Sequence, residues 1–263
     1  MQSAIGIIPA RMASTRFPGK PLEIIAGYPL VQHVYCAAKS CKTLSDVWVA
    51  TDDHKIADAV KRFGGKVVMT SSDHTSGTDR IVEAVEKVSD GVGIVVNIQG
   101  DEPLVRPSDI DKCVAEIIKE RSADWATLIY KLDSSSNDPN TVKVVCDLNG
   151  FALYFSRAQI PFDRDGGNSV QRFGHIGLYV YKIDALKRFA SLKSTPLELT
   201  EKLEQLRALE AGLKIICVKT GKAYPGIDTP EDLSIVNEII RKNPELINIK
   251  WLLSEKKKKN QTE

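Results

Sequence analysis

Over its first half the chain alternates two kinds of apolar pattern, and this alternation limits the possible folds more than any other feature. A short apolar run at 5–9 reads as a buried first strand, 47–50 and 66–70 read as further strands, and the nearly continuous apolar run at 94–99 has the density of a strand covered on both faces. Between them apolar residues recur at helical spacing. Leu30, Val34 and Ala37 mark a helix over 29–40; Ile56, Ala59, Val60 and Phe63 mark the next; Ile81, Val82, Val85 and Val88 a third; and Ile110, Val114, Ile117 and Ile118 a fourth. Asp52 or Asp53 is placed to cap the second helix, Gly64-Gly65 to stop it, and Ser108-x-x-Asp111 reads as a capping box for the fourth. Strands alternating with helices predict a parallel sheet with right-handed crossovers.

The pattern changes near Trp125. Residues 125–131, 142–146, 152–156 and 172–181 read as strands with no helix between them, and Asn149-Gly150 is a hairpin signal. This predicts an antiparallel insertion over about 125–185. Leu199, Leu203, Leu206 and Leu209 then form one helical stripe ended by Gly212, residues 215–218 a late strand, and Thr229-Pro230-Glu231-Asp232 a helix start. The expected organisation is one α/β domain over 1–245 and a tail over 246–263 that carries Lys256-Lys257-Lys258-Lys259 and is assigned no role. With 27% charged residues spread to a net charge of only +2, nothing points to nucleic acid or an anionic membrane as partner. The N-terminal residues lack a basic segment and a long apolar one, and no apolar run approaches the ~20 residues of a membrane helix. Five cysteines at irregular spacing read as reduced thiols, and a cytoplasmic location is expected.

Three loops carry the chemistry. The run Pro9-Ala10-Arg11-Met12-Ala13-Ser14-Thr15-Arg16-Phe17-Pro18-Gly19-Lys20-Pro21 follows the first strand, on the sheet edge where open α/β sheets bind ligands. It contains neither glycine fingerprint of dinucleotide or P-loop sites. Charge alone fits a solvated loop equally well; the position after the first strand favours phosphate, with Arg11 and Arg16 as paired-donor clamps and Lys20 as a mobile point charge. The second loop is Asn97-Ile98-Gln99-Gly100-Asp101-Glu102-Pro103. Here a buried strand runs into a carboxylate at the same edge, and hard Mg²⁺ takes one or two such carboxylates together with substrate phosphates. The third is Gly226-Ile227-Asp228-Thr229-Pro230-Glu231, where Asp228 either helps cap a helix or completes a metal site with Asp101. An acidic co-substrate could meet the amides of Thr75-Ser76-Gly77-Thr78-Asp79-Arg80, with Arg157, His175, Tyr179, Glu204 and Gln205 as further polar groups.

These segments, with Ala50-Thr51-Asp52, Asn140-Thr141-Val142-Lys143-Val144-Val145, Ile160-Pro161-Phe162-Asp163-Arg164-Asp165 and Glu204-Gln205-Leu206-Arg207, occur in order over nearly the whole chain. Together they resemble the 3-deoxy-manno-octulosonate cytidylyltransferase family. Two departures are visible: Phe162 where many members carry tryptophan, and a short loop at 166–171. The resemblance implies a Rossmann-like nucleotidyltransferase fold, mostly parallel with an antiparallel dimerisation insertion, and a homodimer. It implies CTP and the acidic sugar Kdo as substrates, CMP-Kdo and pyrophosphate as products, Mg²⁺ as cofactor and a place in lipopolysaccharide biosynthesis. Carried over, Arg11, Arg16, Lys20, Asp101 and Asp228 are the catalytic residues, and Asp101 and Asp228 hold the metal. Ala10, Arg11, Ser14, Arg16, Lys20, Thr51, Asp52, Ser76, Arg80, Gln99 and Gly100 surround the nucleotide. Arg80, Gln99, Arg157, His175, Tyr179, Glu204 and Gln205 contact the sugar.

The expected reaction is in-line attack of the sugar's anomeric hydroxyl on the α-phosphorus, with the cationic loop meeting charge on the leaving group. The rivals are a cytidylyltransferase for a sialic-type acid, a nucleotide-sensing module that has lost its catalytic groups, and a glycosyltransferase. The last usually carries a D-x-D pair, which Gly100-Asp101-Glu102 is not.

Overall fold

The computed structural model describes residues 3–13, 16–74, 76–88, 91–133, 138–165, 171–221, 223 and 225–247; the lysine run at 256–259 lies outside them. The chain divides into two compact units, Met1–Asp111 with Tyr224–Glu263, and Lys112–Ala223.

In the first unit the apolar runs form a parallel sheet. The elements are β1 (Ala4–Pro9), a short hairpin of β2 (Ile24–Ile25) and β3 (Tyr28–Pro29), α1 (Leu30–Lys39), β4 (Leu44–Thr51), α2 (His54–Arg62), β5 (Val67–Met69), α3 (Gly77–Val88) and β6 (Ile94–Asn97). Strand β1 lies between β4 and β6, and β4 pairs with β5, all parallel. Ile5, Ile7, Ile8, Val95 and Val96 are buried, as expected for strands covered on both faces. Pro9 pairs with Ala50, and Ile7 with Asn97, so the loops after β1, β4 and β6 leave the sheet at one edge.

Local choices follow from side-chain chemistry. Asp53, not Asp52, caps α2 by accepting from the Lys55 and Ile56 amides, which leaves Asp52 for another partner. The fourth helix, α4 (Pro107–Lys119), does not use the expected box. Asp111 instead accepts from the Lys42 and Thr43 amides and the Thr43 hydroxyl, at 3.1, 2.9 and 2.6 Å, satisfying the turn after α1. The division between the units falls inside α4.

The second unit holds β7 (Trp125–Lys131), β8 (Lys143–Cys146), β9 (Ala152–Ser156), β10 (Phe173–Lys182), α5 (Ile183–Ala190), α6 (Pro196–Glu201), α7 (Gln205–Glu210) and β11 (Ile215–Thr220). Antiparallel pairs join β10 to β7, β10 to β8 and β8 to β9, while β11 runs parallel to β7. The mixed α/β class, parallel with an antiparallel portion, is as the sequence predicted. The single leucine-striped helix is not: it breaks into α6 and α7 at Lys202, whose φ is +56°. The Glu201 carbonyl, which would accept from the next helical turn, is taken at 2.8 Å by Arg157 Nε. The Glu201 carboxylate meanwhile receives the Ser156 hydroxyl and the Arg157 amide, at 2.6 and 2.9 Å. Leu203 and Leu206 are buried and Leu199 is exposed.

The chain returns to the first unit for α8 (Pro230–Lys242), started by a Thr229–Asp232 capping box with proline in its first turn. Its Val236 and Ile240 pack in one buried cluster with Ile25, Leu30, Leu104 and Ile227. Burying a side chain the size of Ile227 contributes about 1.5–3 kcal/mol, which anchors the segment that carries Asp228.

Candidate active site

The basic loop after β1 is closed by its own backbone. The Gly19 amide donates to the Met12 carbonyl at 3.1 Å, and Gly19 adopts φ +77°, a conformation that glycine takes without steric cost. Pro21 is buried, in a single 3₁₀ turn that begins at Lys20, so the root of the Lys20 side chain is fixed. Arg11 and Arg16 lie exposed on the rim.

The loop after β6 comes close to β1 because residue 100 has no side chain: a Cβ on Gly100 would stand 2.7 Å from the Pro9 carbonyl oxygen. The next residue, Asp101, then meets the distant segment before α8, through a 2.9 Å hydrogen bond from the Ile227 amide to the Asp101 carbonyl. Asp232 accepts from the Asp228 and Thr229 amides, at 3.0 and 2.9 Å. The Asp228 carboxylate is therefore not the cap and faces the basic loop.

The two carboxylates converge on one cation. Lys20 Nζ donates to Asp101 Oδ2 at 2.8 Å and to Asp228 Oδ1 at 3.2 Å, and the Arg16 guanidinium stands 3.1 Å from Asp228 Oδ2. The neighbouring Glu102 carboxyl is pushed up to about 8 by desolvation and by the adjacent Asp101 charge, so it adds little negative charge at neutral pH. Arg16, Lys20, Asp101 and Asp228 line a cavity of about 430 Å³ together with Ala10, Arg11, Ser76, Arg80, Gln99 and Gly100.

Arg80 is the buried arm of this site. Its guanidinium is 3% exposed, donates to the Thr70 hydroxyl at 2.5 Å and stands 3.5 Å from Asp52 Oδ2. Asp52 Oδ1 is buried with no hydrogen-bond partner among the described residues, and Thr51 is buried beneath, accepting from the Asp53 amide at 3.2 Å. Thr51 and Asp52 thus stand behind Arg80 and are not among the lining residues. Gln99 Nε2 donates to the buried Asn97 at 3.3 Å. Ser14 lies outside the described residues.

A second polar cluster is built wholly within the second unit. Its base is Lys143, 1% exposed, whose ammonium donates to the carbonyls of Asp138, Thr141 and Arg157 at 2.9, 2.8 and 2.6 Å. All three ammonium protons are thereby used. Arg157 is held at its amide by the Glu201 carboxylate, at Nε by the Glu201 carbonyl, and at Nη1 by the Pro139 carbonyl at 3.2 Å. His175 and Tyr179 face each other on β10 with ring centroids 5.4 Å apart, and the Phe155 ring meets His175 edge-on at 5.1 Å. Tyr179 is pushed up by desolvation, then by Tyr181 and Glu204. Glu204 precedes α7, and Gln205 is buried at its first position.

Comparisons with known proteins decide the family. A family model described as cytidylyltransferase matches residues 5–215. The 3-deoxy-manno-octulosonate cytidylyltransferase of Geobacter sulfurreducens is 49% identical over 247 residues, covering 89% of this chain and 98% of that relative. The chain belongs to the 3-deoxy-manno-octulosonate cytidylyltransferase family. The enzyme of the same name from Thermodesulfovibrio yellowstonii is 48% identical, over 90% of this chain and 97% of its own. A solved CMP:2-keto-3-deoxy-manno-octonic acid synthetase, complexed with CTP, superposes with a TM-score of 0.88 at 41% identity, covering 91% of this chain and 99% of that one. A glucose-1-phosphate thymidylyltransferase from Bacillus anthracis, described as putative, has a TM-score of 0.65 at 18% identity and shares the fold alone.

Within this cytidylyltransferase the first unit gathers Ala10, Arg11, Arg16, Lys20, Ser76, Arg80, Gln99, Gly100, Asp101 and Asp228 around one cavity. Arg157, His175, Tyr179, Glu204 and Gln205 all belong to the second unit. Sequence reasoning missed Thr70, which holds Arg80, and Thr127, Lys143 and Glu201, which hold the polar side chains of the second unit. Lys143 and Glu201 carry no signal in a sequence, because an interior lysine or a helical glutamate reads as a solvated surface group.

Proposed function

We propose that this chain transfers the cytidylyl group of CTP to the anomeric hydroxyl of 3-deoxy-manno-octulosonate, giving CMP-Kdo and pyrophosphate. The observation that carries this reading is the convergence of Lys20 and Arg16 on Asp101 and Asp228 at the sheet edge, in a chain 41% identical to a synthetase complexed with CTP.

The acidic pair fits a divalent cation. In the structure the Lys20 ammonium stands where both carboxylates point, so one positive centre already satisfies both. Two carboxylates suit hard Mg²⁺, which keeps water and phosphate oxygens as its other ligands. Asp101 and Asp228 would hold it, and when bound it supplies Lewis-acid polarisation and charge neutralisation at the triphosphate.

The chain's own residues do the rest. Arg11 and Arg16 present paired donors to phosphate oxygens. Lys20, released from the carboxylates, supplies a mobile charge for the departing pyrophosphate. The fixed Gly19 turn keeps its reach short, and preorganised donors of this kind are worth ~100–1000-fold in rate. Arg80, held by Thr70 and Asp52, needs no rearrangement to present its remaining donors. Arg157, His175, Tyr179, Glu204 and Gln205 are the groups that would receive the sugar acid. A homodimer, a cytoplasmic location and use of the product in lipopolysaccharide synthesis complete the reading.

The test is a pyrophosphate-release assay with CTP, Mg²⁺ and a panel of acidic sugars. Turnover with Kdo and not with a sialic-type acid is expected; the reverse preference would replace this substrate assignment with the sialic-type one.

A further inference from the structure

We infer that Thr127 locks His175 as its neutral, Nε2-protonated tautomer, so that the ring presents Nδ1 as a hydrogen-bond acceptor to a hydroxyl of the sugar acid. The identity of that hydroxyl rests on the functional reading above; the tautomer does not.

Thr127 is fully buried on β7. Its Oγ1 lies 2.8 Å from the Leu178 carbonyl, 3.3 Å from the Ile176 carbonyl and 2.9 Å from His175 Nε2. A hydroxyl has a single proton, and carbonyl oxygens only accept. If Thr127 gave its proton to Nε2, its bare oxygen would face the Leu178 carbonyl oxygen at 2.8 Å, a repulsive contact between two acceptors in a buried place. The proton therefore goes to Leu178, and Nε2–H donates to Oγ1. A ring with its proton on Nε2 carries its lone pair on Nδ1.

The carbonyls converge on Thr127 because β10 carries a bulge. Ile176 stands opposite Leu128, but Tyr179 stands opposite Thr127, so Gly177 and Leu178 are extra residues on that strand. The bulge turns the Ile176 and Leu178 carbonyls toward one hydroxyl and leaves His175 and Tyr179 ring to ring. Desolvation also holds His175 down at about 3, in keeping with an uncharged ring. Among the described residues Nδ1 has no partner, and it is not one of the buried unpartnered atoms. A neutral acceptor suits a hydroxyl and gives nothing to a carboxylate, so His175 reads the hydroxyl pattern of the sugar rather than its acid group. Thr127 acts through the ring and is a positioning residue.

The experiment uses the full chain labelled with ¹⁵N-histidine, and a long-range ¹H–¹⁵N correlation spectrum at neutral pH. The chain has four histidines, and the His175 signals are those lost in His175→Gln. A proton on Nε2 and an unprotonated Nδ1 are expected. Thr127→Val should blur that pattern into a tautomer mixture and raise the sugar KM about 3- to 10-fold, the worth of one hydrogen bond, with the CTP KM unchanged. Thr127→Ser should restore both. A proton on Nδ1, an imidazolium at neutral pH, or ring signals indifferent to Thr127→Val would overturn the inference. If Thr127→Val does not fold, the wild-type spectrum decides alone. Absence of turnover with Kdo would sink the functional reading and leave the tautomer to stand or fall on the spectrum.

Discussion

Gly100→Ala isolates how closely two loops must approach for the site to exist. A Cβ at residue 100 falls 2.7 Å from the Pro9 carbonyl oxygen and 3.7 Å from Ile8 Cγ2. A carbon and a carbonyl oxygen rest at about 3.3 Å or more, so the two segments must part by roughly 0.6 Å. Neither can yield cheaply: Ile8 is fully buried in β1, and the Ile98 amide just before Gly100 is bonded to the Ile7 carbonyl at 3.0 Å. Overpacking of this kind costs about 1–3 kcal/mol, or several degrees in Tm for a chain of this size. The larger effect should be on rate, because the displaced segment carries Asp101 next in sequence. A misplacement of about 1 Å costs ~100-fold, so kcat should fall about 10- to 100-fold. The measurement is pyrophosphate release at saturating substrates, well below the variant's Tm, beside a thermal melt. Gly226→Ala is the control, since a Cβ there meets Asp101 O and Glu102 Cγ at ordinary distances of 3.5 and 3.7 Å; it should be nearly silent. Wild-type kcat and Tm in Gly100→Ala would show that the loop has slack and that its approach to β1 does not position Asp101.

Asp101→Asn or Asp228→Asn should abolish turnover with an unchanged far-ultraviolet circular dichroism spectrum; near-normal Mg²⁺-dependent activity in either would remove the metal assignment. Lys20→Met should lower kcat by ~100–1000-fold while leaving the sugar KM alone. With the ammonium gone from between the carboxylates, nucleotide-free protein should also bind Mn²⁺ more tightly by electron paramagnetic resonance titration, and unchanged Mn²⁺ affinity would contradict the competition. Glu83 supports the turn before α3: against a desolvation cost, hydrogen bonds from Lys87, the Ser71 amide and His74 hold it down at about 2, below its ordinary 4.5. A depressed carboxyl stabilises the fold above its unfolded pKa and loses that contribution as pH falls. The Tm deficit of Glu83→Gln should therefore be full at neutral pH and shrink between about pH 4.5 and pH 2; a deficit that does not vary with pH would refute the linkage.

Most strands and helices could be read from periodicity because their apolar residues answer to local geometry. The break between α6 and α7 could not, because Lys202 takes a left-handed conformation that lysine does not favour, beside a Glu201 carbonyl bonded to Arg157 from another part of the second unit. Asp111 looked like a cap and became a partner for the Lys42 and Thr43 amides for the same reason: a carboxylate goes to whichever donors the fold leaves unmet. The cations and acids of the active site were each visible in sequence, since residue type and position at a strand end suffice to nominate them. Their pairing was not visible, because it depends on the contact between Ile227 and Asp101. Thr127 was hidden most completely: a threonine in a strand is ordinary, and only the bulge in β10 gives its hydroxyl three neighbours.

The acidic pair is drawn from segments on either side of an entire folded unit, since Asp101 precedes Lys112–Ala223 and Asp228 follows it. On the ribosome the first carboxylate therefore emerges well before the second, by on the order of ten seconds at ordinary elongation rates. Through that interval the nascent chain holds the cationic loop and one acid, and lacks the segment that seats the other. A chain interrupted before Asp228 would carry most of the charge needed to attract a triphosphate and none of the means to spend it.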